Sequence, residues 1–412
     1  MTRSALLGPA AFGPIAVVLL LFMSACGAED RERATPWVER DSTGVLVVEN
    51  RDLPSLRDAG YALSPEPLLS IGSVSGDPEY QFFRVAGGVL LDDGRIVVSN
   101  SSSQEIRVYG ADGTHLHSFG TAGAGPGEFE NPRLLGGLGA DSLVVQDVAH
   151  RRVSILHVDD GFARSFPTPE GAGGFPIGQG IFADGTQAYG GGLYFSSDAG
   201  GFPEGVFQSD ALYASVDLEG NSVTEFGSWP SSEMYGVVSD NGFMARSLPF
   251  GKGTSIAVGR DRLWIGKPDA YEVHGYQPDG TLTHVLRLDR PPADVTDADV
   301  ARFTADEIED ADSPNERREF EALMLEMPIP DRMPAFGSMK VDALGHLWVQ
   351  EYAGPRVRDP EWTIFDPDGH IVGVLRTPDR TQILEIGPDY ILGRLSDELD
   401  IEYLQVWGLT RP

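Results

Sequence analysis

Asp147, His150, Arg151 and Arg152 bring a carboxylate, an imidazole and two guanidinium groups within six positions of the 412-residue chain. An arginine fork holds a carboxylate or phosphate through two parallel hydrogen bonds, so this run could bind an oxyanion. The same composition also makes a local salt-bridge network. A second set is dispersed. Arg84, Arg133 and Lys252 fall near the starts of three apolar runs, where cations around one mouth would concentrate an anionic ligand. A third set, Glu351, Tyr352 and Arg356, shares one loop. Signatures of catalysis are missing: there is no paired-histidine spacing, no Gly-x-Ser-x-Gly elbow and no phosphate loop. Five of the eight histidines, His115, His117, His157, His284 and His370, fall on outer runs or turns, and His150 and His274 are the ones available to a channel site. The sequence requires no cofactor. Calcium, held by backbone carbonyls and Asp side chains, is the one structural ion its composition could serve.

The elements that must position these residues come from a recurring unit, plainest in RIVVSNSSSQEIRVYGADGTHLHSFG (95–120). It returns from Ser142, Leu193, Arg262 and His346, with turns at Asp112-Gly113, Asp160-Gly161, Glu219-Gly220, Asp279-Gly280 and Asp368-Gly369. An acidic residue followed by Gly between apolar runs signals a tight hairpin, because Gly accepts the positive φ such turns need. A period of roughly 40 to 50 residues with about four strands per unit points to propeller blades. The runs are apolar on both parities, as in Ile96, Val97 and Val98, as expected of sheets buried on both faces. The last unit, from Thr381, supplies only three strands, and residues 68–72 copy the missing fourth. The expected fold is therefore all-β: a six-bladed β-propeller over 44–412, closed by an N-terminal strand, with a small helical insertion (291–333) between blades 4 and 5.

GAGPGEFENP (123–132), followed by SLVVQD and RRVSILHVDDG, resembles the repeat of NHL-type six-bladed β-propellers. The resemblance covers nearly all of the chain after its N-terminal segment, with departures in the third unit, at 229–250 and at 291–333. It implies a fold more than a function. The family includes protein-binding and RNA-binding modules, scaffolds and a few enzymes, so the site must decide. Its enzymes hold a metal in the channel on His or carboxylate ligands, which makes a metal-dependent hydrolase or lyase the alternative reading.

Composition narrows the setting. Arg3, an apolar run from Ile15 to Phe22, and Met23-Ser24-Ala25-Cys26 read as a signal peptide (1–26) whose Cys26 is the acylated residue of a lipobox. Cys26 is the only cysteine, so no disulfide can form within the mature chain. Gly27 in place of Asp favours the outer membrane of a bacterium, facing the periplasm or the outside. Residues 27–43 read as a polar tether. The net charge of -31 argues against nucleic acid, whose phosphates need a basic footprint. Only Lys252, Lys267 and Lys340 are lysines.

Three interruptions of the repeat, at 198–210, 229–250 and 291–333, fall in loops that emerge on one face. Within the longest, Thr296 with Asp299 predicts a helix start, and Ser313-Pro314-Asn315-Glu316 is a capping box with Pro at the first helical position. The expected role is a non-catalytic binding or assembly module at the cell envelope, with an envelope protein, peptide or glycan as partner on that face. The bland alternative for these insertions is a plug over the channel.

Overall fold

The computed structural model describes residues 36–51, 60–168, 177–190, 202–239, 242–309, 311, 313–355 and 360–412. Cys26, its lipobox and Arg356 lie outside the described residues.

Six antiparallel sheets follow one another along the chain. The first holds Val85–Leu90, Ile96–Asn100, Glu105–Tyr109 and His115–Phe119. Second comes Pro132–Leu138, Ser142–Asp147, Arg152–His157 and Gly161–Pro167. The third is Ile177–Ile181, Gln187–Gly190, Asp210–Val216 and Ser222–Pro230. Ser255–Val258, Leu263–Gly266, Glu272–Tyr276 and Leu282–Asp289 make the fourth. Met339–Val341, Leu347–Gln350, Glu361–Phe365 and Ile371–Arg376 make the fifth. In the sixth, Thr381–Ile386, Tyr390–Ser396 and Glu402–Thr410 are completed by Leu69–Ile71 and Ala62–Leu63, antiparallel to Glu402–Thr410. The N-terminal strand expected to finish the last unit is thus in place.

First strands of neighbouring sheets pack side by side, including those of the sixth and first sheets, in a propeller-like arrangement. Fifth and sixth sheets are joined where Ala343 N–H donates to the Ile386 carbonyl (2.9 Å). Apolar side chains from successive sheets interleave: one cluster mixes Val89, Val97, Ile106 and Val108 of the first with Leu134, Leu143, Val145 and Leu156 of the second. Ile96, Val97 and Val98 are all buried, the double-sided burial their consecutive apolar character predicts.

Two features depart from expectation. The end of the segment read as a tether is structured: Trp37–Ser42 pairs with Val45–Arg51, which in turn runs parallel to Leu282–Asp289 and widens the fourth sheet to six strands. Trp37 packs on the His370 ring (4.5 Å between centroids), and Glu39 pairs with His370 (2.6 Å), so polar residues here find specific partners. In addition, residues from two interruptions form a separate three-stranded sheet of Gly205–Phe207, Met234–Ser239 and Gly242–Ser247. Both predicted helices form. In α1 (Asp297–Glu309), Thr296 Oγ1 accepts from Asp299 N–H (3.2 Å) while Asp299 Oδ2 accepts from Thr296 N–H (3.1 Å). In α2 (Pro314–Glu326), Ser313 Oγ accepts from Glu316 N–H.

Close approach of the first strands depends on small residues at bulges. Pairing between Val85–Leu90 and its neighbour slips between Val85 and Gly88, with Gly87 at φ 148. A Cβ on Gly87 would lie 2.3 Å from the Leu134 carbonyl oxygen of the next sheet, a backbone atom that cannot rotate away. Gly180 meets Val258 of the fourth sheet in the same manner, at 2.9 Å. Gly87→Ala should lower unfolding stability by on the order of 3 kcal/mol. Gly139→Ala, also at positive φ but in open space, should cost only about 1 kcal/mol. Urea titration of both variants checks this, and equal losses would contradict a steric role for Gly87.

Candidate functional site

Asp147 is fully buried and serves its own loop. Its carboxylate accepts from Glu130 N–H (3.1 Å), Asn131 N–H (3.1 Å) and His150 Nδ1 (2.7 Å), with Arg152 at 3.7 Å. Arg152 itself donates to the Ala124 carbonyl (2.7 Å) and the Glu128 carbonyl, tying down the GAGPGEF connector. Burial alone would raise the Asp147 pKa. Hydrogen bonds from His150 and from the backbone of Asn131, Glu130 and His150 outweigh it and keep the carboxylate below its usual range. Arg151 adopts positive φ (51), and its carbonyl accepts from Thr168 N–H. Asp147, His150 and Arg152 staple the second sheet to its connector, as the salt-bridge reading expects.

The dispersed cations separate. Arg84 is exposed in the left-handed region (φ 58), and Lys252 pairs with Asp269 at 3.4 Å. Neither lines the central cavity; Arg133 does. That cavity, about 980 Å³, is walled by the first strands of all six sheets, through Gly88, Arg133, Gln179, Ser255, Lys340 and Glu385. Glu351 and Tyr352 lie on its rim. The Glu351 carboxylate is engaged by Arg290, Thr363 Oγ1 and Tyr271 OH (3.3 Å), and burial pushes the Tyr352 hydroxyl up to about 12.

Lys340 is the cavity residue that sequence reasoning passed over. It stands in the first strand of the fifth sheet, while Arg133 stands in that of the second. Burial, and then the charge of Arg133, bring the Lys340 pKa from 10.5 down to about 8; burial also lowers the Arg133 pKa. Arg133 is open to water-sized molecules in the cavity and yet crowded by protein, as befits a side chain in an internal channel. The other charged groups of the wall are matched. Arg394 pairs with Glu402 (3.1 Å), Arg380 with Asp400 (3.1 Å), and Glu385 accepts from Leu90 N–H (2.7 Å) and Tyr390 OH (3.0 Å). Among the described residues, no carboxylate pairs with Arg133 or Lys340. One signal in the sequence could have found Lys340: it is one of three lysines in a chain of charge -31, placed in an apolar run that starts a repeat.

The insertions gather elsewhere. Phe202 stacks on Phe243 (4.5 Å, 7° between planes), and Phe250, Phe303 and Phe320 form a chain of edge contacts at 6.0 Å joining the 229–250 segment to α1 and α2. None of these residues lines the cavity, so the described parts of the insertions do not plug it. Among the described residues, no three His, Cys, Asp or Glu side chains converge where a metal could be held. No helix among them is long and apolar enough to cross a membrane.

No family model matches this chain. No curated protein matches it in sequence either. Among solved structures, it is similar to a member of the DUF4221 family from Bacteroides vulgatus, with 11% identity over 86% of this chain and 98% of that one, at a TM-score of 0.48. It is also similar to virginiamycin B lyase from Staphylococcus aureus, with 11% identity over 85% and 100% of the chains, at 0.39. A gluconolactonase from Xanthomonas campestris gives 12% identity, 85% and 100% coverage, and 0.38. Likenesses this distant carry no argument about activity, and the reading rests on the residues.

An unpaired, desolvated lysine costs stability wherever it is charged. The folded pKa lies below the unfolded one, so between about pH 8 and pH 10.5 the unfolded chain binds the extra proton and stability rises with pH. Lys340→Met should therefore stabilise the protein at pH 7 by on the order of 2 kcal/mol, a gain that fades toward pH 10.5. Chemical denaturation across this range checks it; a destabilised variant would show that Lys340 has a structural partner.

Proposed function

We propose that the chain is an exported, NHL-like six-bladed β-propeller, lipid-anchored through Cys26 at the outer membrane, that works as a non-catalytic binding module for an envelope protein or peptide. The observation that carries this reading is the convergence of three separate interruptions of the repeat on one another. A rigid scaffold elaborated at one place is the usual design of a binding surface. The separate sheet presents Val206 and Met244, each about half exposed (49%), beside Phe202 (55%), while α2 presents Leu325 (90%). Apolar side chains grouped in this way suit a protein or peptide better than a glycan, which offers hydroxyls. The six sheets and the N-terminal closing strand support a six-bladed ring as the scaffold.

Two tests apply. Crosslinking in intact cells followed by mass spectrometry should place partner crosslinks within 202–210, 234–247 and 313–327. Crosslinks confined to hairpin turns such as Asp112-Gly113 would overturn the assignment of the face. Separately, Cys26→Ser should move the protein from the membrane fraction to the soluble envelope fraction, and retention in the membrane would contradict acylation.

A further inference from the structure

We propose that the central cavity is a second binding site, for a small organic dianion such as a dicarboxylate or a phosphate ester, with Arg133 and Lys340 as the recognising pair. This goes beyond the partner surface above, since no described residue of the insertions lines the cavity.

Charge accounting leads to the ligand class. Among the described residues, six charged side chains line the cavity: Arg133, Lys340, Glu351, Arg380, Glu385 and Arg394. Four have internal partners. Glu351 is held by Arg290, Arg380 by Asp400, Arg394 by Glu402, and Glu385 by Leu90 N–H and Tyr390 OH. Arg133 and Lys340 are left as two positive charges on the wall of one cavity, and the charge of Arg133 lowers the Lys340 pKa. Like charges sharing one cavity repel, and a protein with 62 acidic residues has ample carboxylate to neutralise them. Neither carboxylate on the described wall pairs with these two cations, since Glu351 is taken up by Arg290 and Glu385 by Leu90 N–H and Tyr390 OH, so the compensation is expected from outside. Two cations on the wall of one cavity match two negative charges on one molecule, and an arginine fork adds bidentate geometry for a carboxylate or phosphate.

Size and surroundings restrict the rest of the ligand. A cavity of about 980 Å³ admits a molecule of metabolite size and excludes a folded protein. Val89, Leu135, Ile181, Val258 and Val341 contribute apolar wall around the pair, which suits an organic body better than a bare hydrated ion. The strongly acidic exterior would slow entry of any anion, so binding should be selective and strengthened by moderate salt, which screens the exterior more than the interior.

The test uses the mature protein, with succinate, adipate and phosphate as probes and with acetate and succinamide as singly charged and neutral controls. Calorimetric titration at pH 7 should show one saturable site for at least one dianion, bound at least tenfold more tightly than acetate, and no binding of succinamide. Arg133→Gln and Lys340→Gln should each weaken that binding at least tenfold, and Lys340→Arg should restore part of it. Arg84→Gln and Lys252→Gln should leave it unchanged, because those cations lie outside the cavity. Circular dichroism melts confirm that each variant is folded; Lys340→Gln, which removes a desolvated charge, should melt no lower than the parent. Either of two results would overturn the proposal: no dianion binding to the parent protein, or binding that survives loss of both cavity cations.

Discussion

Buried backbone N–H groups on the first strands have to be satisfied from a neighbouring element, and the way this is done holds the molecule together. The first strands of the first, second, third and sixth sheets are bulged and border a cavity, so their own ladders leave donors unpaired. Ser99 Oγ of the first sheet accepts from Leu134 N–H of the second (3.2 Å), and Gln146 Oε1 of the second accepts from Gly178 N–H of the third (2.8 Å). Across the seam between the last and first sheets, Glu402 accepts from Val85 N–H (2.8 Å) and Glu385 from Leu90 N–H (2.7 Å). These side chains are buried or nearly so, where an unsatisfied amide would cost about 1–3 kcal/mol. At these three seams one sheet completes the hydrogen bonding of the next. Spacing and register are set together, and the Gly87 and Gly180 contacts fix how near the strands can come.

That frame creates the chemistry of the channel. First strands of successive sheets direct side chains from non-adjacent sheets into one space, which is how Arg133 and Lys340 come to line one cavity although 207 positions separate them, from 133 to 340. The frame also tolerates the cost of their charges, since stability rests on interleaved apolar layers and not on the cavity wall. Binding groups of this kind are typically kept at the expense of stability. Outside the frame, connectors between sheets are free to lengthen, and the added segments pack on each other through Phe202, Phe243, Phe250, Phe303 and Phe320.

Local physics was well written in the sequence. Acidic-Gly turns, runs apolar on both parities, the Thr296 and Ser313 caps and the missing strand near residue 69 each follow from interactions a few residues long, and each has its counterpart in the structure. Site residues were less legible because their meaning depends on position to within one residue. Arg133 lies inside its strand and reaches the cavity. Arg84 and Lys252 precede theirs, Val85–Leu90 and Ser255–Val258, and so remain outside the channel. Asp147 looked like a ligand because its neighbours are cationic, yet backbone donors from a loop 16 and 17 residues away claim its oxygens. Long-range pairing of that sort leaves no local mark. The strand Trp37–Ser42 was hidden for a similar reason: its polar residues look like a tether until Glu39 meets His370 across 331 positions.

Closure of the ring by the N-terminal segment is the claim on which both the channel and its pair of cations depend, and a designed crosslink tests it directly. Ser70 and Gln405 are directly opposed across the seam strands, where antiparallel Cα separations of about 4.5–5.5 Å suit a disulfide. In a mature chain lacking Cys26, Ser70→Cys with Gln405→Cys should oxidise quantitatively to an intramolecular disulfide and raise the urea midpoint relative to the reduced form. Two thiols that stay free under oxidising conditions, or pair only between molecules, would contradict a closed ring.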